Sequence, residues 1–94
     1  MTDNTHTIDT SDICLNDDLN NLVDLLAKNE HENWVKERLK EGWKCGHRDN
    51  RKKEHPCLVP YTELSESNKE QNRIALKKLL KMIIMLGYRI EKEA

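Results

Sequence analysis

Two stretches of this 94-residue chain place apolar residues at helical spacing, and a stretch without that periodicity separates them. In the first, from about residue 17 to 41, the apolar stripe is Leu19, Leu22, Val23, Leu26 and Ala27. In the second, the stripe is Leu76, Leu79, Leu80, Ile83 and Leu86. Amphipathic helices are stabilised mainly by burying such stripes against each other. We therefore expect a mainly α domain with two long packed helices.

Polar residues and glycines mark the ends of both helices. Asn16 can cap the first helix, and Gly42 supplies its stop. Either Ser65 or Ser67 can cap the second helix, and Ser67 with Glu70 matches a capping box. The second helix should end before the next glycine, at position 87.

The stretch between the helices, residues 43–61, contains Gly46, Pro56 and Pro60. It predicts an ordered loop with short β segments. Residues 57–59, flanked by two prolines, can form at most a brief edge strand, because proline donates no ladder hydrogen bond. At the other end, residues 1–12 are polar and acidic and predict a flexible N-terminal tail. The remainder, residues 13–91, has room for a single core and one domain.

Charge is distributed unevenly along the chain. Six aspartates precede Lys28 with no basic residue among them, which leaves sixteen basic and eleven acidic residues in the remainder. Such a body attracts anions, whereas the total charge of −1 argues against binding to nucleic acid.

Hydropathy and cysteine content indicate a cytosolic protein. No apolar run approaches the roughly 18–20 residues of a membrane span, and the N-terminus lacks the basic flank and apolar centre of a signal peptide. Three cysteines are an odd number, which favours reduced thiols over a disulfide framework.

His31, Trp34 and Arg38 stand at i, i+3 and i+7 of the first helix, so we expect them to face outward together. On that face a tryptophan can stack on a planar base while the arginine pairs with a phosphate or carboxylate and the histidine donates a hydrogen bond. In the alternative interpretation Trp34 belongs to the core and Arg38 is a salt-bridge partner.

Two further candidates follow the first helix. Trp43 is either a packing anchor or a ligand contact, and Arg48 either supports the loop or binds an anionic group. The densest group of cations is Lys44, Arg48, Arg51, Lys52 and Lys53. It is either a solvated loop or an electrostatic entrance for a phosphorylated ligand.

No metal site, cofactor or catalytic device is expected. Cys45 and His47, like His55 and Cys57, are separated by a single residue, whereas paired zinc ligands usually lie further apart. No cysteine has an evident base and orienting group, and no motif of a known catalytic class is present. The sequence therefore predicts a protein that is not an enzyme.

Ile74 and Met85 lie on the side of the second helix opposite its apolar stripe. The continuous apolar run of residues 82–86 also suggests burial on two sides. The N-terminal tail, the segment after Gly87 or another subunit could cover this side. In the last case Ile74, Met82 and Met85 would form a homo-oligomer face.

Several segments, in order, resemble one known family. They are NEHENWVKERLKEGW at 29–43, GHRD at 46–49, HPCLVPYTEL at 55–64, KEQNR at 69–73 and LGYRI at 86–90, with the lead-in IDTS at 8–11. Together they resemble the ryanodine-receptor repeat, or RyR domain, over about residues 8–91. The resemblance implies a small, mainly helical module with two long helices, short strands and an ordered loop. A stand-alone copy of this length is similar to the prokaryotic or phage versions.

The resemblance also bears on function. The repeats of the receptors are associated with adenine-nucleotide-like and drug-like ligands, which implies a ligand role for Trp34 and Arg38. The leading hypothesis is a non-catalytic binding module for a nucleotide-like or other phosphorylated ligand, using His31, Trp34, Arg38, Trp43 and Arg48. The alternative is a protein-interaction or oligomerisation domain without a small-molecule ligand.

Overall fold

The computed structural model describes residues 8–93, which form helix α1 (Asp17–Lys40), a single-turn 3-10 helix (Tyr61–Glu63) and helix α2 (Glu66–Met85). Residues 41–65, here called the connecting segment, join the two long helices. No helix in this part of the chain is both long enough and apolar enough to cross a membrane.

Helix α1 begins and ends through local hydrogen bonds that the sequence predicts. The side chain of Asn16 accepts a hydrogen bond of 2.9 Å from the Leu19 amide. At the other end Gly42 has φ +90°. Its N–H donates to the Leu39 carbonyl at 3.1 Å, and the Trp43 N–H donates to the Arg38 carbonyl at 3.0 Å. These two bonds make a Schellman motif, which satisfies carbonyls that the helix leaves unpaired.

Helix α2 has the same kind of ending. Gly87 has φ +99°, and its N–H and that of Tyr88 donate back into the last turn. At the start, Ser65 is the cap, and its side-chain oxygen accepts a hydrogen bond of 3.1 Å from the backbone N–H of Asn68. The predicted capping box at Ser67 is wrong, because Ser67 already lies within the first turn of the helix.

The predicted short β segments are wrong for the residues described, which contain only the isolated bridges Lys44–Glu54 and Asp49–Glu54. In residues 57–59, local hydrogen bonds use the backbone N–H groups that a β ladder would need. The Cys57 and Leu58 amides both donate to His55, through its ring and its carbonyl oxygen. Proline supplies no donor at the two positions that flank residues 57–59.

The core lies between α1, α2 and the connecting segment. Its buried apolar residues are Leu19, Val23 and Ala27 of α1, Leu58 and Leu64 of the connecting segment, and Leu80 of α2. The predicted α2 stripe is only partly buried, since Leu79 and Leu86 are 48% and 59% exposed. The reason is that α2 packs on α1 with a narrower face than its sequence offers.

The predicted tail divides into two parts. Residues 1–7 lie outside the described residues. Residues 8–12 contain a turn in which the Ile13 N–H donates to the Thr10 carbonyl at 3.0 Å. Residues 8–11 line a shallow groove of about 900 Å³ together with four residues of α2, which are Ala75, Lys78, Leu79 and Met82. Beyond this groove Ile74 and Met85 remain 43% and 52% exposed.

Candidate ligand-binding site at Trp34

Trp34 contacts two imidazole rings. The edge contact with His55 of the connecting segment has a centroid distance of 5.1 Å and an interplanar angle of 78°. On α1 itself, the His31 ring lies 5.8 Å away. His31 in turn lies 6.0 Å from the Tyr61 ring. These contacts between rings join α1 to the connecting segment and fix the indole on one side.

His31 is buried, with 7% of its surface exposed, and its Nε2 lies 2.7 Å from the Val59 carbonyl oxygen. The expectation that His31, Trp34 and Arg38 face outward together is therefore wrong for His31. Helical spacing placed the three residues on one side, but the connecting segment covers the His31 end of it. The Tyr61 amide adds to this cover by donating to the Glu32 carboxylate at 3.3 Å.

A cleft of about 360 Å³ opens beside Trp34 and is called the Trp34 cleft. Its lining residues are Glu30, His31, Trp34, Cys57, Leu64, Asn68, Gln71 and Asn72. Three of them are amides from the first turns of α2, and each amide can both donate and accept. The lining thus offers one aromatic wall and one neutral, hydrogen-bonding wall.

Arg38 and Trp43 lie at the C-terminal end of α1 and do not line this cleft. The Arg38 guanidinium pairs with the Glu41 carboxylate at 2.6 Å, although its buried Nε atom has no hydrogen-bond partner among residues 8–93. Trp43 is half-buried, and its backbone N–H donates to the Arg38 carbonyl at the end of α1. Lys53 also reaches this end, where its Nζ donates to the Glu41 carbonyl at 3.0 Å.

Arg48 is joined to Trp34 through His55. Its Nη2 lies 3.0 Å from His55 Nε2, and the other ring nitrogen, Nδ1, lies 3.0 Å from the Cys57 amide. Partial burial, and secondarily the positive charge of Arg48, lower the pKa of His55 below its usual range. Both influences favour the neutral form of the ring.

The remaining residues of the basic loop, residues 44–53, are arranged by one aspartate. Asp49 Oδ1 accepts from the Arg51 and Lys52 amides at 3.0 and 3.2 Å, as in an Asx turn. Lys53 follows with φ +56°. This turn leaves the Arg51 and Lys52 side chains exposed in the same loop as Arg48.

The two His/Cys pairs considered as metal ligands, Cys45 with His47 and His55 with Cys57, do not form a larger cluster in the described part of the chain. Across residues 8–93, no group of three or more His, Cys, Asp or Glu side chains is placed to hold a metal ion. Both ring nitrogens of His55 face N–H donors. The Cys57 sulfur accepts a hydrogen bond from the side-chain amide nitrogen of Asn68, Nδ2, at 3.5 Å.

Two features of the site were missed in the sequence. His55 was considered as a metal ligand and not as a partner of Trp34 or Arg48, yet it contacts both. The α2 amides carry no motif. Their spacing, at positions 68, 71 and 72, was the available signal, because i, i+3 and i+4 share one side of a helix.

Two long helices, joined by a connecting segment that folds back over an aromatic face, define a small mainly helical module. The model of the RyR domain family matches residues 4–92, nearly the whole chain. The chain belongs to the RyR domain family.

Proposed function

We propose that the protein is a non-catalytic, cytosolic binding module for a small nucleotide-like ligand that carries an anionic group. The observation that supports this most is the pairing of Trp34 with the amide wall of the Trp34 cleft. A planar base can lie against the indole while Asn68, Gln71 and Asn72 bond to its polar edge. Stacking of this kind contributes about 1–3 kcal/mol per base.

The anionic group would be bound outside the cleft, at Arg48. The Arg48 side chain is exposed and contacts His55, which in turn contacts Trp34. One ligand can therefore contact Trp34 with its base and Arg48 with its anionic group. Arg38 is the weaker candidate, because Glu41 already pairs with its guanidinium. His31 would act indirectly, since its Nε2 is engaged with the Val59 carbonyl and its ring supports the indole.

A non-catalytic role fits the surroundings of the nucleophiles. The Cys57 thiol, the one thiol that lines the cleft, contacts an amide rather than a base. His55, an imidazole of the same segment, accepts from the Cys57 backbone instead. Activation of a thiol needs a base or a cation at the sulfur.

Tryptophan fluorescence tests the proposal directly, because the chain has only two tryptophans. In a Trp43→Phe variant, Trp34 is the sole emitter. We expect nucleosides and nucleotides to change its emission and raise the melting temperature. The double variant Gln71→Ala/Asn72→Ala should weaken the affinity about tenfold, the loss expected from one or two hydrogen bonds.

A control with the opposite arrangement completes this test. Trp34→Phe leaves Trp43 as the sole emitter, and its emission should respond little to the same compounds. If no compound up to millimolar concentration moves either the emission or the melting temperature, the nucleotide proposal fails.

A second candidate function is homo-oligomerisation through the side of α2 that carries Ile74, Met82 and Met85. Ile74 and Met85 are 43% and 52% exposed, with the half-buried Met82 between them along the helix. Exposed apolar side chains that share one helix side are typical of interaction surfaces. Light scattering should then find an oligomer that Met85→Glu dissociates.

The matched control is Leu39→Glu, which places the same charge on an equally exposed residue of α1. It should leave the oligomer intact. A wild-type protein that scatters as a monomer at high concentration would rule out this second function.

A further inference from the structure

The His55 ring lies between two N–H donors. Its Nδ1 is 3.0 Å from the Cys57 amide nitrogen, and its Nε2 is 3.0 Å from Arg48 Nη2. A neutral imidazole has one acceptor nitrogen and one N–H group. One of these two contacts must therefore bring a donor against a donor.

The surroundings decide which nitrogen accepts. The Cys57 N–H is partly buried, and His55 Nδ1 is its hydrogen-bond partner in the part of the chain that the structure describes. Arg48 is exposed, so its guanidinium can bond to water at little cost. Since an unpaired buried donor costs more than a solvated one, Nδ1 accepts from Cys57 and Nε2 carries the proton.

This assignment leaves the Nε2–H of His55 and an N–H of Arg48 side by side, with 3.0 Å between the two nitrogens and no acceptor from the described residues joining them. We infer that Arg48 and His55 form an oxyanion site that takes a phosphoryl group, one oxygen of which accepts from both donors. Such an oxygen would replace a donor–donor contact with two hydrogen bonds, both charge-assisted because the acceptor oxygen is anionic.

The carboxylates nearest in sequence do not compete for this position. Asp49 accepts from the amides of its own turn, and Glu54 lies 4.0 Å from Lys44 Nζ. The exposed Arg51 and Lys52 side chains add positive potential around the pair. The local field therefore favours an external anion.

This inference deepens the proposed function, because it assigns the anionic half of the ligand, but it does not require a base in the Trp34 cleft. The two can be separated by the choice of probe. Inorganic phosphate reports on Arg48 and His55 alone, whereas an unphosphorylated nucleoside reports on the Trp34 cleft alone.

The experiment is nitrogen-15 NMR of the histidine rings and arginine side chains of the whole chain, titrated with inorganic phosphate at pH 7. We expect His55 to be the Nε2–H tautomer, and phosphate to shift its Nε2 and the Arg48 side chain. Arg48→Gln should weaken phosphate binding about tenfold, as expected for loss of a charge-assisted bond. Lys52→Gln, a matched loss of charge in the same loop, should change it less than about twofold.

Two variants at position 55 separate packing from donation. His55→Phe keeps an aromatic edge against Trp34 but removes the donor, and it should weaken binding as Arg48→Gln does. His55→Gln offers an amide nitrogen near the Nε2 position and should restore part of the affinity. Melting temperatures show which variants remain folded.

The inference is overturned if wild-type His55 is the Nδ1–H tautomer, or if phosphate shifts neither residue. Equal losses from Arg48→Gln and Lys52→Gln would also overturn it, because they would mean diffuse attraction to the loop. These outcomes rest on the wild-type chain and two surface variants, so they decide the matter even if His55→Phe does not fold. Phosphate binding without nucleoside binding would leave this site standing and reject the nucleotide proposal.

Discussion

His31 shows at the scale of one residue how a polar side chain can hold a small core together. Its Nε2 lies 2.7 Å from the Val59 carbonyl, and its ring contacts both Trp34 and Tyr61. One imidazole thus joins α1 to the connecting segment by a hydrogen bond and by packing. A partly buried carbonyl that lost this partner would be partly desolvated without compensation.

We expect His31→Leu to lower the free energy of unfolding by about 1–3 kcal/mol, the usual cost of leaving a buried polar group unpaired. Urea denaturation measures it. His47→Leu, at an exposed histidine, should change the same quantity by no more than about 0.5 kcal/mol. Equal effects of the two substitutions would show that the Val59 bond contributes nothing.

His55 should make stability depend on pH. Its pKa is lowered in the folded protein, whereas the unfolded chain has the ordinary value of about 6.5. The unfolded state therefore binds the proton first, and stability falls as the pH drops below about 6.5 until the folded protein is protonated as well.

Urea denaturation of His55→Gln between pH 7 and pH 5 checks this prediction. The variant should lose stability less steeply over that range than the wild type does, while His47→Gln should follow the wild type. A wild-type slope that survives in His55→Gln would assign the pH dependence to other groups. Glu70, whose pKa Arg73 lowers by a hydrogen bond, acts only at more acidic pH.

At the scale of elements, both helices are delimited by short-range chemistry. Asn16 and Ser65 cap the starts, and Gly42 and Gly87 adopt positive φ at the ends. These features involve neighbours within a few residues, so the sequence predicts them well. The choice between Ser65 and Ser67 was the exception, because both precede suitable partners and the motif at Ser67 looked more complete.

Substitution of the two serines distinguishes the true cap. Ser65→Ala should lower the free energy of unfolding by about 1 kcal/mol, because it removes the acceptor for the Asn68 amide. Ser67→Ala, inside the first turn, should have an effect below about 0.5 kcal/mol. Thermal unfolding followed by circular dichroism suffices, and a larger loss at Ser67 would contradict the assignment.

The connecting segment was harder to predict than the helices. Its ordered loop was expected, but its bonds run to partners far along the chain. The His31 side chain bonds the Val59 carbonyl 28 residues away, and the Glu32 carboxylate accepts from Tyr61 29 residues away. Periodicity can place His31 and Trp34 on one side of α1, but it cannot say which segment covers that side. The sequence therefore pointed to His31 and Trp34, which line the Trp34 cleft, but not to the side-chain amides of α2 on its other wall.

At the scale of the whole molecule, the core is small for the number of apolar residues. Six apolar side chains are buried among residues 8–93, and of the larger side chains Val23 alone is fully enclosed. Several large apolar side chains in and just after α2, including Leu79, Met85 and Leu86, remain about half exposed. Each residue of the narrow core should therefore contribute strongly to stability.

Val23 and Val35 provide a matched comparison on the same helix. Val23→Ala should lower the free energy of unfolding by about 2 kcal/mol, because the side chain is completely enclosed. Val35→Ala, at a half-buried position, should cost about half as much or less. Chemical denaturation measures both, and similar costs would mean that the centre of the core lies elsewhere.

The exposed turn at residues 50–53 divides the chain between its two long helices and contains three consecutive basic residues. Such a turn is the kind of site where a protease nicks a folded protein. A cut there would leave two fragments, each with one helix and part of the connecting segment. The same halves can be made as separate peptides, and helix docking then becomes a bimolecular reaction whose rate can be followed as a function of concentration.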